Sequence, residues 1–248
     1  MTDHVGILAH SIEGAMFCLR TFCHAGFREL GPHLHPQVTL DCIAMGHSMA
    51  AWDAGEYTAI RATLARSAET LRRAGARFFV CPDNTCHLAL EQPGEDFALP
   101  GLHIAEVLAE RAAHDGRRKV GILGTRYTMD GPVYPAALAA RGIEFAIPEA
   151  EDRQVINDII FDELVNGEFT AESRAVYVGI IEKLQARGCD AVALVCTEIP
   201  LLVRPEHSPL PTLESTTLLA LAAFEVAMGR RPMPTWRGGP LPVRVGVA

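Results

Sequence analysis

Val5-Gly-Ile-Leu8 recurs letter for letter as Val120-Gly-Ile-Leu123. A second pair of stretches keeps nearly the same spacing. Ala76-Arg-Phe-Phe-Val-Cys81 is an apolar run that stops just before Asp83, and Ala191-Val-Ala-Leu-Val195 stops at Cys196. The two spacings agree to within two residues, which marks an internal duplication rather than a chance match of four apolar letters. Each run reads as a buried parallel strand delivering a polar group to the carboxyl edge of a sheet, where open α/β sheets hold their ligands. The expected fold is therefore α/β, with two similar lobes related by a pseudo-two-fold. Each lobe is a mostly parallel sheet flanked by helices, and Asp83 and Cys196 stand on opposite walls of one cleft. The expected boundaries are 1–105 for the first lobe and 106–212 for the second, with the segment 213–248 packing back on the first.

The expected elements follow the same rhythm. Strands are expected at 4–8, 38–43, 77–80, 99–104, 119–123, 143–147 and 191–195. Tyr57 to Ala74 reads as an amphipathic helix with Ile60, Leu64, Ala68 and Leu71 on one face. Helices are also expected through roughly Ala25, through Ala113, at 153–164 and 171–188 divided by Asn166-Gly167, and at 213–228. Trp52 falls in the loop after the second strand, where a hydrophobic lid and core packing are both open readings.

Composition narrows the partners. A net charge of −8 and a pI near 5.7 argue against nucleic acid. The longest apolar stretch, Thr217 to Met228, is interrupted by Glu225 and is too short to cross a bilayer, and no signal peptide is visible. Seven irregularly spaced cysteines predict reduced thiols and a cytoplasmic protein. No metal is expected. Cys81 and Cys86 lack a matching second pair for zinc, and His33 and His35 lack further ligands nearby.

The candidate site residues lie at the strand ends. Asn84, Thr85 and Thr197 offer an amide and hydroxyls that suit a carboxylate. So do Thr125 and Thr128 in Gly124-Thr-Arg-Tyr-Thr128, although a solvated turn is the alternative there. The first loop, Ala9-His-Ser-Ile-Glu13, opens a helix and places His10, Ser11 and Glu13 at an anion-favouring terminus.

Five pieces of the chain, Asp83-Asn-Thr-Cys-His87, Leu102-His-Ile-Ala105, Leu123-Gly-Thr-Arg-Tyr-Thr-Met129, Ile147-Pro-Glu-Ala150 and Cys196-Thr-Glu-Ile199, resemble the aspartate/glutamate racemase family. The resemblance implies a homodimer that moves the α-proton of a small amino acid without pyridoxal phosphate or any other cofactor, with Cys196 and the residue at 83 as the acid–base pair. It also implies departures. The family usually carries cysteine where this chain has Asp83, a Gly-Gly-Met-Ser-like loop where it has Ala9-His-Ser, and a histidine where it has Leu219, while Glu214 fits an expected acid. A carboxylate is a weaker base than a thiolate and a poor acid at neutral pH unless its surroundings raise its pKa, which a neighbouring thiolate and an apolar cleft would do. Three alternatives use the same residues. Cys196 as a nucleophile with Asp83 as base would hydrolyse a small amide or lactam. Cys196 alone would protonate the enolate of a decarboxylated malonate. A binding protein would use neither.

Overall fold

The computed structural model describes residues 2–241. Positions 242–248 of the expected C-terminal segment lie outside the described residues. The chain divides into two compact units. One runs to Val107 and resumes at Thr216, and the other is Leu108–Ser215.

The first unit is built from β1 (Val5–Ala9), α1 (Ile12–Leu30), β2 (Val38–Cys42), α2 (Met49–Asp53), α3 (Tyr57–Arg73), β3 (Phe78–Val80), α4 (His87–Leu90), β4 (Gly101–Leu102) and the start of α5 (Ile104–His114). All strand pairs are parallel, in the order β2-β1-β3-β4. β1 and β3 are buried along their whole length, as a sheet covered on both faces requires. Ile60, Leu64, Ala68 and Leu71 of α3 are buried as the helical spacing predicts. They join Leu8, Phe79, Phe97 and Leu99 in one core.

The second unit repeats the plan: β5 (Lys119–Leu123), α6 (Arg126–Met129), α7 (Val133–Ala139), β6 (Glu144–Ala146), α8 (Ala150–Asp162), α9 (Ala171–Ala186), β7 (Ala191–Leu194), α10 (Ile199–Leu202) and β8 (Thr212–Glu214), with α11 (Ser215–Ala227) returning the chain to the first unit. Its sheet order is β6-β5-β7-β8, again all parallel. Gly167 adopts φ 78°, a left-handed turn that ends the segment after α8. Thr170 then caps α9 by accepting the Ser173 N–H at 3.0 Å.

The repeated Val-Gly-Ile-Leu has a packing reason in both units. A Cβ on Gly6 would stand 3.1 Å from the Leu71 Cβ and 3.2 Å from the Ala76 Cβ, and one on Gly121 would stand 2.8 Å from the Leu184 Cδ1. In each sheet a helix leucine rests on the strand at the glycine.

Several elements differ from the sequence expectation. Leu213 lies in β8 rather than in a helix, because Pro211 and the pairing of Leu213 with Ala193 keep the backbone extended. Trp52 belongs to the short helix α2 rather than a loop, and its ring is buried. Residues 126–129, read as part of a binding loop with a solvated turn as the alternative, form α6, and 133–139, for which no element was expected, form α7. Residues up to 241 after α11 pack on the first unit. Gly101 donates its N–H to Trp236 O at 2.7 Å, Phe97 to Arg237 O at 2.8 Å and Gly239 to Leu90 O at 2.8 Å. No helix of the described residues is long and apolar enough to cross a membrane.

The glycine contacts set an order of cost. Gly6→Ala meets Cβ atoms that cannot swing away, so it should destabilise by about 1–3 kcal/mol. Gly121→Ala meets the tip of a leucine that can rotate and should cost less. Urea unfolding of both variants checks the order, and equal midpoints would contradict it.

Candidate active site

In a parallel sheet of order 2-1-3-4 the connections leave β1 and β3 toward opposite sides, which opens a crevice at their carboxyl ends. In the first unit those ends carry His10 and Ser11 after β1 and Asp83, Asn84 and Thr85 after β3. In the second they carry Thr125 after β5 and Cys196 and Thr197 after β7. The candidate residues of each unit therefore gather at its switch point.

Asp83 is held by its own loop. Its Oδ1 accepts the Cys86 N–H at 3.2 Å, the turn geometry that aspartate favours. Its backbone carbonyl accepts the His87 Nδ1–H at 2.9 Å. His87 Nε2 in turn accepts the Ile104 N–H at 3.3 Å, which assigns the proton to Nδ1. Burial pushes His87 down to about 3, helped by the adjacent His103. His103, also pushed down to about 3 by burial, contacts Glu91 Oε1 at 2.9 Å. Burial raises Glu91, so this contact is a hydrogen bond between a neutral imidazole and its acceptor more than an ion pair. Trp236 stacks on the His87 ring at 6.2 Å and 12°. The structure makes His87 the support of the Asp83 backbone.

The Asp83 side chain is 13% exposed, and its Oδ2 lies 3.7 Å from His10 Nδ1. Burial works to raise its carboxyl, but the His10 imidazole and the Cys86 amide and thiol outweigh it and hold the group below its ordinary range. This corrects the expectation of a raised pKa, and the reason is the imidazole one strand away. His10 is 2% exposed, and neither of its ring nitrogens has a hydrogen-bond partner among the described residues. The edge of its ring meets Trp52 at 6.1 Å. Ser11 is half-buried at the start of α1 with no capping bond from its side chain, and Glu13 is exposed. Asn84 is buried and Thr85 half-buried.

In the second unit, Val195 N–H bonds Leu123 O at 2.8 Å and extends the β5–β7 pairing to the residue before Cys196. Cys196 donates its thiol hydrogen to Glu198 Oε2 at 3.0 Å, and Thr197 Oγ1 donates to the same oxygen at 2.7 Å. The Thr197 hydroxyl hydrogen, expected for a substrate carboxylate, is thus directed to Glu198. Glu198 is buried and was absent from the expected site. Its signal was an acid two residues past a cysteine at a strand end. Thr128 is buried and donates to Thr125 O at 2.9 Å, while Thr125 stays half-buried at the start of α6. Of the two, Thr125 keeps the more accessible hydroxyl.

Chemically, the first edge offers an ionised carboxylate beside an imidazole, and the second a thiol beside a carboxylate able to take its proton. Pyridoxal phosphate needs a lysine for its Schiff base. The chain has two lysines. Lys119 opens β5, at the end remote from the carboxyl edge, and Lys183 on α9 is engaged by Asp152 at 2.8 Å. As a cation site, one donor atom each from His10, Asp83 and Cys86 lies within 4.8 Å of the others. Three donors with an open position are what a catalytic zinc takes, but a ligating thiol must lose its proton, and burial pushes the Cys86 thiol up, while one Asp83 oxygen is committed to the Cys86 amide.

The family model for Asp/Glu/hydantoin racemases matches residues 22–223. The chain is 23% identical over 165 residues to the broad specificity amino-acid racemase RacX of Bacillus subtilis, covering 66% of this chain and 71% of that protein. A crystal structure of an Asp/Glu racemase candidate from Yersinia pestis is similar at a TM-score of 0.82 and 30% identity, over 91% of this chain and 99% of that one. An aspartate racemase homologue from Pyrococcus horikoshii shares the fold at a TM-score of 0.77 and 23% identity, over 92% and 100%. The two parallel four-stranded sheets are the fold of this group. The chain belongs to the Asp/Glu/hydantoin racemase family. Its class is that of an amino acid racemase, an isomerase, and the hydrolase and decarboxylase readings are not favoured.

The buried histidines give a pH prediction. Free imidazoles in the unfolded chain gain protons below about 6.5, whereas folded His87 and His103 do so only near 3. The unfolded state therefore binds more protons through this window, and stability falls as pH drops from about 6.5 toward 3, by several kcal/mol. Glu91, raised by burial, offsets part of the loss. Urea midpoints measured from pH 7 to pH 4 should decline, and the slope should be shallower in His103→Gln. A flat profile would contradict the neutral buried pair.

Proposed function

We propose that the protein racemises or epimerises a small amino acid by moving its α-proton between Asp83 and Cys196, one on each face of the α-carbon. The observation that carries this reading is that each residue follows the third strand of its sheet, at the same switch-point position of a repeated plan. Asp83 is held ionised and so acts first as the base. The Cys196 thiol, bonded to Glu198, supplies the opposite proton and is left as a thiolate. Cys196 is then a catalytic cysteine, with Glu198 positioning its hydrogen.

Substrate contacts are assigned on the same ground. Asn84, Thr85 and Ser11 at the first edge and Thr125 at the second would clamp a carboxylate, and Thr128 and Thr197, whose hydroxyl hydrogens go to Thr125 O and Glu198, would join them only by giving up those bonds. Trp52 would close an apolar wall, and Glu13 would stand at the rim. No cofactor enters this scheme. A homodimer fits the exposed apolar pair Ile12 and Met16, one turn apart on α1, and sedimentation would test it. A cytoplasmic location fits seven cysteines that are all free.

Proton NMR in D₂O with a panel of small amino acids tests the reading. α-Proton exchange with growth of the opposite enantiomer is expected. Cys196→Ala and Asp83→Asn should each lower turnover by about 10²–10⁴-fold. Asp83→Cys, which restores a two-thiol pair, should retain activity and bring the rates in the two directions closer together. Opening of a lactam without α-exchange would instead make Cys196 a nucleophile.

A further inference from the structure

A racemase asks the same first-edge group to take a proton in one direction and give one in the other. Asp83 alone answers half of that demand, because a carboxylate held ionised is a base with nothing to donate. The same edge holds a second group the reaction scheme has not used. His10 follows β1, which pairs directly with β3, so the strand order sets the imidazole beside the carboxylate. Its ring is 2% exposed, and both nitrogens lack a hydrogen-bond partner among the described residues. Such a group is costly to bury, and an unused one would be expected to find a backbone partner or be replaced by an apolar side chain.

The carboxylate is already divided. Oδ1 is committed to the Cys86 amide at 3.2 Å, and Oδ2 is the oxygen 3.7 Å from His10 Nδ1. A shift of under about 1 Å would close that gap to a hydrogen bond. The Trp52 ring also packs against the imidazole, with ring centroids 6.1 Å apart. The titratable groups facing His10 are Asp83 and, through the same loop, Cys86. Glu13 on its own helix and Asp53 on α2 are exposed.

We propose that His10 and Asp83 act as one acid–base pair, with His10 storing the proton that Asp83 removes and returning it in the reverse direction. This rests on the racemase reading of the same site. In the forward step the α-carbon–hydrogen bond breaks and its electron pair stays on carbon. The proton forms an O–H bond at Asp83 Oδ2 and passes to His10 Nδ1, which restores the carboxylate. The Cys196 S–H bond breaks to protonate the opposite face. The protein is left with an imidazolium–carboxylate pair and a thiolate, and the reverse reaction restores both. Imidazole suits this storage because it exchanges a proton near neutral pH, where the carboxylate does not.

The test uses wild type, His10→Gln and His10→Ala, with two independent readouts. The first is α-proton exchange from each enantiomer in D₂O. His10→Gln should lower kcat by about 100-fold or more with KM little changed, and the loss should be larger in the direction that needs the first edge to donate. Added imidazole should restore part of the His10→Ala activity, which a merely structural histidine would not allow. The second readout needs no turnover. By carbon NMR the Asp83 carboxyl should titrate lower in wild type than in His10→Gln, because the facing imidazole favours the carboxylate. Unchanged kcat in His10→Gln, or an Asp83 carboxyl midpoint indifferent to His10→Gln, overturns the pair. So does stoichiometric zinc whose removal by EDTA abolishes activity, since His10 would then be a ligand. If wild type exchanges no α-proton from any amino acid, the racemase reading fails by itself. The Asp83 titration then decides the pair alone, upheld by a midpoint that rises in His10→Gln and overturned by an unchanged one.

Discussion

Everything chemical in this protein depends on parallel strands that end side by side while their connections depart in opposite directions. β1 and β3 do this in the first unit, and β5 and β7 in the second. The arrangement gathers at one edge of each sheet the residues that follow its central strands, and it brings together residues far apart in sequence. It also needs close packing behind the strands. Leu71 on Gly6 and Leu184 on Gly121 bring a helix against the sheet, so the strands cannot slide without opening the core.

The same constraint explains why the fold was legible. Fully buried parallel strands read as continuous apolar runs, and a repeated run at a constant spacing is hard to produce except by repeating the unit. Gly6 and Gly121 kept their place in both copies because a Cβ there would strike a neighbouring side chain. α3 was legible for a different reason, since its buried residues recur at helical spacing over seventeen residues. Short pieces were not legible. α2, α6 and α10 span only four or five residues, too few for periodicity to show. β8 was lost in the apolar run that becomes α11, and only its pairing with β7 separates the two.

The site was half legible for a related reason. Residue type and strand-end position singled out Asp83 and Cys196, but the state of each depends on partners the sequence does not announce. His10 meets Asp83 across seventy-odd residues, and only the β1–β3 register brings them together. That neighbour, together with the Cys86 amide and thiol, reverses the direction of the Asp83 pKa expected from burial alone. Glu198 was in plain view two residues from Cys196, yet its role turns on whether its carboxylate bends back to the thiol, as it does at 3.0 Å. His87 looked like a core residue and is one, but its two ring nitrogens tie the Asp83 loop to α5.

An aspartate at position 83, where the resemblance to this family implies a thiol, is therefore not a simple exchange of one base for another. A lone thiol serves as both base and acid because its pKa can be placed near neutrality. A carboxylate fixed by Cys86 and drawn down by an imidazole has a strong preference for one protonation state. Replacing the thiol leaves two chemical routes to a reversible reaction: the carboxylate must be raised, or its proton must be kept elsewhere. The structure opposes the first route, because the interactions around Asp83 outweigh its burial. The second requires a buried basic group within reach whose lone pairs are not spent on the fold. At this edge the group of that kind is His10, with neither ring nitrogen hydrogen-bonded among the described residues and Asp83 Oδ2 3.7 Å from its Nδ1.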